Sequence, residues 1–127
     1  MLTPSHADEL VHAWDDGWNG EDVDTIMAPF AEDVVFSSPF VSRLTGDPDR
    51  TAIEGRVALR DYVEGALQRT PGIRYTIHTT YYGAGTLVLV YSCRLPDGRT
   101  KDGADSMRVD GDGRVVEWRC HYTLDSL

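Results

Sequence analysis

Long apolar runs and clustered positive charge are both missing from this sequence. No uninterrupted apolar stretch approaches the roughly 20 residues that a membrane helix needs, and no basic segment followed by an apolar one opens the chain. We therefore expect a cytoplasmic protein without a membrane partner. The twelve Lys and Arg are dispersed along a chain of formal net charge -9, which repels phosphate backbones, so nucleic acid is not an expected partner.

Cysteines and metal-ligand motifs are also scarce. Cys93 and Cys120 each lie in an apolar run, which is typical of buried free thiols and not of a disulfide framework. His6 and His12 are not one helical turn apart, and no His, Asp and Glu cluster has metal-ligand spacing. Cys120 and His121 point to opposite faces of a strand, and the glycines lie in hairpins. We therefore predict no metal and no cofactor, and neither a Ser-His-Asp triad nor a phosphate loop.

The chain does contain helix and strand patterns for a single domain over residues 1–127, since 127 residues with 41% hydrophobic content can bury one core. Apolar residues at helical spacing around Trp14 and Trp18 predict a first helix, and a shorter one follows around Ile26. A third helix is expected after Gly55, stopped near residue 70. Its predicted apolar face consists of Val57, Ala58, Leu59, Tyr62 and Ala66.

The remaining pattern is that of strands. Residues 32–38 predict a short strand, and residues 39–54, rich in Pro, Gly, Asp, Ser and Thr, predict a long loop that is a candidate lid. After the third helix the apolar period changes to two, which predicts strands at about 73–82, 86–95, 100–110 and 114–123. Helices followed by a mostly antiparallel sheet indicate an α+β fold.

In each of these strands one face is more apolar than the other, and we expect the helices to cover the more apolar face. The opposite face is polar and is expected either to be hydrated or to pair with a second copy of the chain. The predicted inner face consists of Ile73, Tyr75, Ile77, Thr79, Tyr81, Leu87, Leu89, Tyr91, Cys93, Asp105, Met107, Val109, Val116, Trp118, Cys120 and Tyr122.

Several segments resemble those of a known superfamily. The run from Trp14 to Gly20, the segment from Glu54 to Tyr62 and the closing segment 107–117 resemble the nuclear transport factor 2-like superfamily, and within it the ketosteroid isomerases and the SnoaL-like polyketide cyclases. The resemblance implies a cone in which a curved, mostly antiparallel sheet wraps around three helices from the N-terminal half (NTF2-like or cystatin-like). It also implies a pocket at the open end and a homodimer formed through the outer sheet face.

The isomerase chemistry transfers only in part. In that family a carboxylate base precedes a Pro at the end of the first strand, and a Tyr and a protonated Asp form an oxyanion hole. Here Ser38 occupies the base position, Trp14 stands where the Tyr would be, and only Asp105 matches. A hydroxyl of ordinary pKa cannot shuttle a proton between carbons, and an indole donates without titrating. Steroid isomerisation of the familiar kind is therefore not expected.

Two other activities of the superfamily match this sequence to different degrees. The epoxide hydrolases of the superfamily need an Arg two residues before the Asp, and Gly103 stands there, so that activity is not expected. The polyketide cyclases use an Asp and a His in the pocket. The final-strand equivalents here are Trp118, Arg119, Cys120 and His121, which leaves cyclisation open.

Asp105 is the candidate catalytic residue. It lies on the inward period beside Met107, and an acid with apolar neighbours is either neutral or partnered, which suits it to act as an acid, a base or a hydrogen-bond donor. The alternative is an acid that only braces the sheet. The candidate ligand-binding residues, each of which is otherwise a core residue, are Trp14, Trp18, Phe36, Ser38, Tyr62, Tyr91, Met107, Trp118, Cys120 and Tyr122.

Three functions remain open from the sequence. The first is an isomerase or cyclase acting on a polycyclic or terpenoid-like ketone through Asp105. The second is a non-catalytic protein that binds a small hydrophobic molecule, which the missing base favours. The third is a dimerisation module with a vestigial pocket.

Overall fold

Helices and strands are mixed in the first half of the chain, and the second half is almost entirely strand. The computed structural model describes residues 2–127. In chain order the elements are α1 (Pro4–Asn19), α2 (Val23–Met27), β1 (Phe30–Ser37), α3 (Val41–Thr45), β2 (Ala52–Glu54), α4 (Arg56–Arg69), β3 (Arg74–Tyr82), β4 (Thr86–Arg94), β5 (Thr100–Val109), β6 (Val115–Tyr122) and a short 3-10 turn (Leu124–Ser126).

The six strands form a single curved, unclosed sheet in the order β2-β1-β6-β5-β4-β3. All neighbours are antiparallel except β1 and β6, which are parallel. The long strands β4 and β5 pair over their whole lengths, from Thr86 opposite Arg108 to Arg94 opposite Thr100. The predicted α+β class with a mostly antiparallel curved sheet is therefore confirmed.

The first helix is placed by its cap and by one glycine. The Thr3 hydroxyl accepts a hydrogen bond from the His6 N–H at 3.1 Å, and Pro4 occupies a position where no N–H is needed. One face of α1 buries Leu10 and Trp14 against the sheet side of the domain. Gly17 lets α2 approach, because a Cβ there would lie 2.6 Å from Cγ1 of Ile26.

The segment 39–54 differs from the predicted loop, since it contains a helix that was not predicted, α3, and the edge strand β2. Val41 and Ile53 are fully buried in the core, and Ile53 pairs with Phe36 across β1 and β2. Gly46 ends α3 in the left-handed conformation, with φ of 78°. The apolar residues of this segment are scattered among Pro, Gly, Asp, Ser and Thr, so these short elements leave no recognisable hydrophobic period.

Two further predictions about buried faces are wrong. On α4, Val57 is 76% exposed, and the face that enters the core carries Leu59 and Val63, one turn apart. On the sheet, a bulge after Ile77 shifts the register of β3, which puts Tyr81 opposite Val88 on the outer face. A bulge adds one residue to one strand and therefore reverses the face of every later side chain.

A register shift also changes which side chains of β6 face inward. A register shift between Arg108 and Val109 leaves Val116 unpaired, so Val115 is fully buried in its place. Beyond the bulge Trp118 and Cys120 face inward as predicted. None of the helices in residues 2–127 has the length and apolar character needed to cross a membrane.

The close approach of α1 to α2 leads to a prediction about the stability of the protein. We expect Gly17→Ala to lower the free energy of unfolding by about 1–3 kcal/mol, since the added methyl overlaps both the side chain and the backbone of Ile26. Urea denaturation followed by circular dichroism measures the change. Gly111→Ala is the matched control, because nothing lies within 4 Å of a Cβ there, and it should be close to neutral. Equal stability of the two variants would contradict this packing.

Candidate functional site

The inner face of the sheet, α1, α4 and the chain around α3 enclose a cavity of about 290 Å³. Its inner end is closed by buried side chains, and exposed residues such as Arg43 and Arg69 surround its mouth. Asp105 and nine of the ten candidate ligand-binding residues line it. These nine are Trp14, Trp18, Phe36, Ser38, Tyr62, Tyr91, Trp118, Cys120 and Tyr122.

Met107, the tenth candidate, is not among the residues that line the cavity. It is buried on the inner face, opposite Leu87 of β4 and Trp118 of β6, within the hydrophobic core. The alternation of a strand identifies the face of a side chain but not its depth along the strand.

The Asp105 carboxylate is the polar centre of the site. One of its oxygens, Oδ2, accepts hydrogen bonds from the indole Nε1 of Trp14 at 3.1 Å and of Trp118 at 3.0 Å. The other, Oδ1, accepts from the Tyr91 hydroxyl at 3.0 Å. The three donors belong to α1, β6 and β4, and Asp105 itself is only 2% exposed. The carboxylate thus joins three separate elements at the inner end of the cavity.

The Asp105 carboxylate has no cationic partner within residues 2–127. None of the ion pairs described there includes it. Burial raises the pKa of Asp105, and the neutral donors Trp118, Trp14, Cys120 and Tyr91 only partly oppose that rise by stabilising the carboxylate. The carboxyl group therefore holds a proton at higher pH than an exposed Asp does.

Gly103 explains how Tyr91 reaches Asp105. A Cβ on Gly103 would lie 2.7 Å from both Cζ and the hydroxyl oxygen of Tyr91, so the bare backbone leaves room for the ring. Gly103 stands two residues before Asp105 and faces the same way. Strand alternation places Gly103 on the inward face of β5, so this signal is present in the sequence.

Aromatic rings form most of the cavity wall. Tyr75, which was predicted to face inward but not to bind ligand, contacts Trp14 with ring centroids 5.4 Å apart and Tyr91 at 5.9 Å. On the opposite side Phe36 packs on Trp118 at 4.5 Å and on Tyr62 at 5.2 Å. Burial raises the pKa of Tyr62 to about 12, so its hydroxyl is a hydrogen-bond donor and not a base at neutral pH.

Two further polar side chains of the lining are held differently. The buried Ser38 hydroxyl accepts a hydrogen bond from the Phe40 N–H at 3.2 Å, which ties it to the turn after β1. Nε1 of Trp18 is buried and has no hydrogen-bond partner within residues 2–127, while its ring packs on Trp118 and Tyr75. Ser38 therefore supports the chain at the position of the missing base and does not replace it chemically.

The mouth carries charges that the sequence analysis did not single out. The cavity lining includes Arg43, Arg69 and Lys101 together with a single further acid, Glu21. Lys101 shares the inward face of β5 with Asp105, a signal that strand alternation contained. In residues 2–127 no group of three or more His, Cys, Asp or Glu side chains is arranged to hold a metal ion.

The curved, mostly antiparallel sheet and the helices that pack on it form the fold of the nuclear transport factor 2-like proteins. A family model for the SnoaL-like domain matches residues 11–118. The chain therefore belongs to the SnoaL-like family, which confirms the resemblance predicted from the sequence. No curated protein matches this sequence.

Solved structures share the fold. A SnoaL-like protein of unknown function from Burkholderia thailandensis is 24% identical with a TM-score of 0.81, covering 97% of this chain and 99% of that one. An NTF2-like protein of unknown function from Mesorhizobium loti is 23% identical with a TM-score of 0.75, covering 94% and 92%. TerC, co-crystallised with polyporic acid, is 15% identical with a TM-score of 0.78, covering 95% and 94%. At these identities the similarity establishes the fold alone.

The environment of Asp105 predicts a pH dependence of stability. Above the ordinary pKa of 3.8 the unfolded chain releases a proton that folded Asp105 still holds, so this residue lowers the free energy of unfolding as pH rises, up to its pKa in the folded state. Asp105→Asn removes the effect and keeps the geometry, because the amide oxygen accepts from both indoles and the amide nitrogen donates to Tyr91.

We therefore expect the stability of wild type relative to Asp105→Asn to fall as pH rises from 3.8. Urea denaturation of both proteins across a pH series measures this difference. Asp33→Asn, which removes an exposed carboxylate, controls for net charge. A difference that rises with pH would mean that the folded protein stabilises the charged form of Asp105.

Proposed function

We propose that this protein binds a small, mostly apolar molecule with a ring system in the cavity, and that Asp105 exchanges a proton with it or donates a hydrogen bond to its oxygen. The observation that carries the proposal is the combination of an aromatic cavity with one buried acid that has no cationic partner. Apolar pockets with a few converging polar groups and a perturbed acid are typical of ligand-binding and catalytic sites.

Asp105 acts on the ligand through Tyr91. When Asp105 is ionised, the Tyr91 hydroxyl donates to it across 3.0 Å. When Asp105 is protonated, the same contact reverses, since the carboxyl donates to the phenol oxygen, and the Tyr91 proton is free to point at a ligand oxygen in the cavity. Burial raises the pKa of Tyr122, another tyrosine of the cavity wall, so its hydroxyl stays protonated at neutral pH.

We call Asp105 and Tyr91 together the relay. The relay suits a ligand that contains a ketone. In the ionised pair, the Tyr91 oxygen accepts a proton from the carbon next to the carbonyl while the Tyr91 proton moves to Asp105, and the electron pair of the broken C–H bond forms an enolate. The protonated pair then donates a hydrogen bond to the enolate oxygen and returns a proton to carbon, which is the proton transfer that isomerases and cyclases need. Ser38 adds no base, because a serine hydroxyl does not ionise at neutral pH. Asp105 must therefore serve both steps.

Binding without chemistry is the second candidate. Both Asp105 oxygens already accept hydrogen bonds from neutral donors, which favours an acid that fixes the shape of the pocket. The open volume of about 290 Å³ beside Trp14, Trp18 and Trp118 favours either kind of binding protein over a scaffold with a vestigial pocket. A homodimer through the outer sheet face and a cytoplasmic location stay predictions, and native mass spectrometry tests the first of them.

Filling the cavity tests the binding site. We expect Ala66→Trp, on the cavity side of α4, to weaken binding of the neutral fluorophore N-phenyl-1-naphthylamine at least about tenfold, because the indole occupies the space of the probe. Ala58→Trp on the exposed side of the same helix is the matched control and should leave the fluorescence titration unchanged. Equal affinities of both variants and wild type would place the probe elsewhere.

Proton handling is tested by isotope exchange. Wild type incubated with a panel of tetralones and steroid ketones in deuterium oxide should speed deuterium uptake next to the carbonyl of at least one of them, as read by mass spectrometry. Asp105→Asn should lower that rate at least about a hundredfold and change affinity within about twofold, since it keeps the hydrogen bonds and loses the titratable group. Binding without exchange by the wild type would favour the non-catalytic candidate.

A further inference from the structure

Three positively charged side chains from separate elements meet at the mouth of the cavity. Arg43 comes from α3, Arg69 from the last residue of α4, and Lys101 from the beginning of β5. Lys101 is the only lysine in the sequence, and the chain as a whole carries a formal net charge of -9. The mouth is therefore a positive region of an acidic protein.

Two of these cations gather around one aromatic ring. Cζ of Arg43 lies 5.2 Å from the centroid of the Phe40 ring, and Nζ of Lys101 lies 5.8 Å from it. The two charged groups are therefore no more than about 11 Å apart, and an anion between them would relieve their repulsion. In residues 2–127 no Asp or Glu carboxylate forms an ion pair with Arg43, Arg69 or Lys101.

The neighbouring polar groups leave Lys101 and Arg69 without an anionic partner in residues 2–127. Arg43 differs, since its Nη2 donates at 3.2 Å to an oxygen of Leu127, the last residue of the sequence. Glu21, the acid on this rim, accepts the Gly72 N–H at 2.8 Å and so is held on the turn before β3. Asp105 lies four residues further along β5 than Lys101, about 13 Å away at the rise of an extended strand.

We propose that the ligand is an organic anion, whose carboxylate or similar oxyanion lies at the mouth among Lys101, Arg43 and Arg69 while its rings enter the cavity toward Tyr91. This inference rests on the proposed function, since it concerns the same cavity. A cleft lined by charge of one sign concentrates ligands of the opposite sign and orients them. The cations thus set which end of the ligand reaches the relay of Tyr91 and Asp105.

Two probes with the same rings separate the charge from the cavity. 1-Anilinonaphthalene-8-sulfonate carries an anionic group that N-phenyl-1-naphthylamine lacks. We expect wild type to bind the anionic probe at least about fivefold more tightly than the neutral one, and this preference to fall when salt rises from about 0.02 M to about 0.5 M, because the mouth is solvent-accessible. The measurement is a fluorescence titration with each probe.

Charge-removing variants locate the effect. Lys101→Gln and the double variant Arg43→Gln, Arg69→Gln should each reduce the preference for the anionic probe at least about threefold and leave the affinity for the neutral probe within about twofold. Arg108→Gln removes one charge from the exposed outer face and is the matched control, which should change neither affinity. Thermal unfolding of each variant verifies the fold.

The outcomes distinguish the two proposals. If wild type binds both probes equally at low salt, or if the mouth variants keep the full preference, the anionic ligand is refuted while binding of the neutral probe still supports the cavity. If Ala66→Trp leaves both titrations unchanged, the cavity itself is not the binding site, and the proposed function fails together with this inference.

Discussion

The organisation of this domain depends on one carboxylate that accepts hydrogen bonds from three directions. Asp105 on β5 receives the indoles of Trp14 from α1 and Trp118 from β6, and the hydroxyl of Tyr91 from β4. Each donor ring is large and could collapse into the space beneath the sheet, but a hydrogen bond at its polar edge fixes its orientation. The rings therefore become walls, and the cavity stays open beside them.

The same interaction links the fold to its proposed chemistry. Burial without a cation raises the pKa of Asp105, so a group that holds the walls in place is also ready to carry a proton. Along β5 the inward side chains change from Lys101 at the mouth, through Gly103, which makes room for Tyr91, to Asp105 at the closed end. A ligand entering this cavity meets positive charge first, then aromatic faces, then the acid.

Strand alternation predicted the inward faces of Asp105, Tyr91 and Trp118, and helical spacing predicted that of Trp14, because the face of a side chain follows from its place in the period of its element. Alternation gave the wrong face where a bulge changed the parity, as at Tyr81, and it does not give depth along a strand, as at Met107. The elements α3 and β2 are short and lie among polar and turn residues, so they leave no period to detect. The cluster of cations at the mouth could not be predicted without tertiary structure, since Arg43 and Arg69 meet Lys101 only through the placement of α3 and α4.

Asp105 is a buried acid whose partners are neutral donors, and burial raises its pKa. Carbon-13 NMR of protein labelled at the Asp carboxyl carbons, with Asp105→Asn to assign the resonance, measures this directly. We expect the Asp105 carboxyl to titrate above the ordinary 3.8 and the indole N–H resonances of Trp14 and Trp118 to shift at the same midpoint. If Asp105 instead titrates at or below 3.8 and the indole signals do not follow it, the folded protein does not favour the protonated acid.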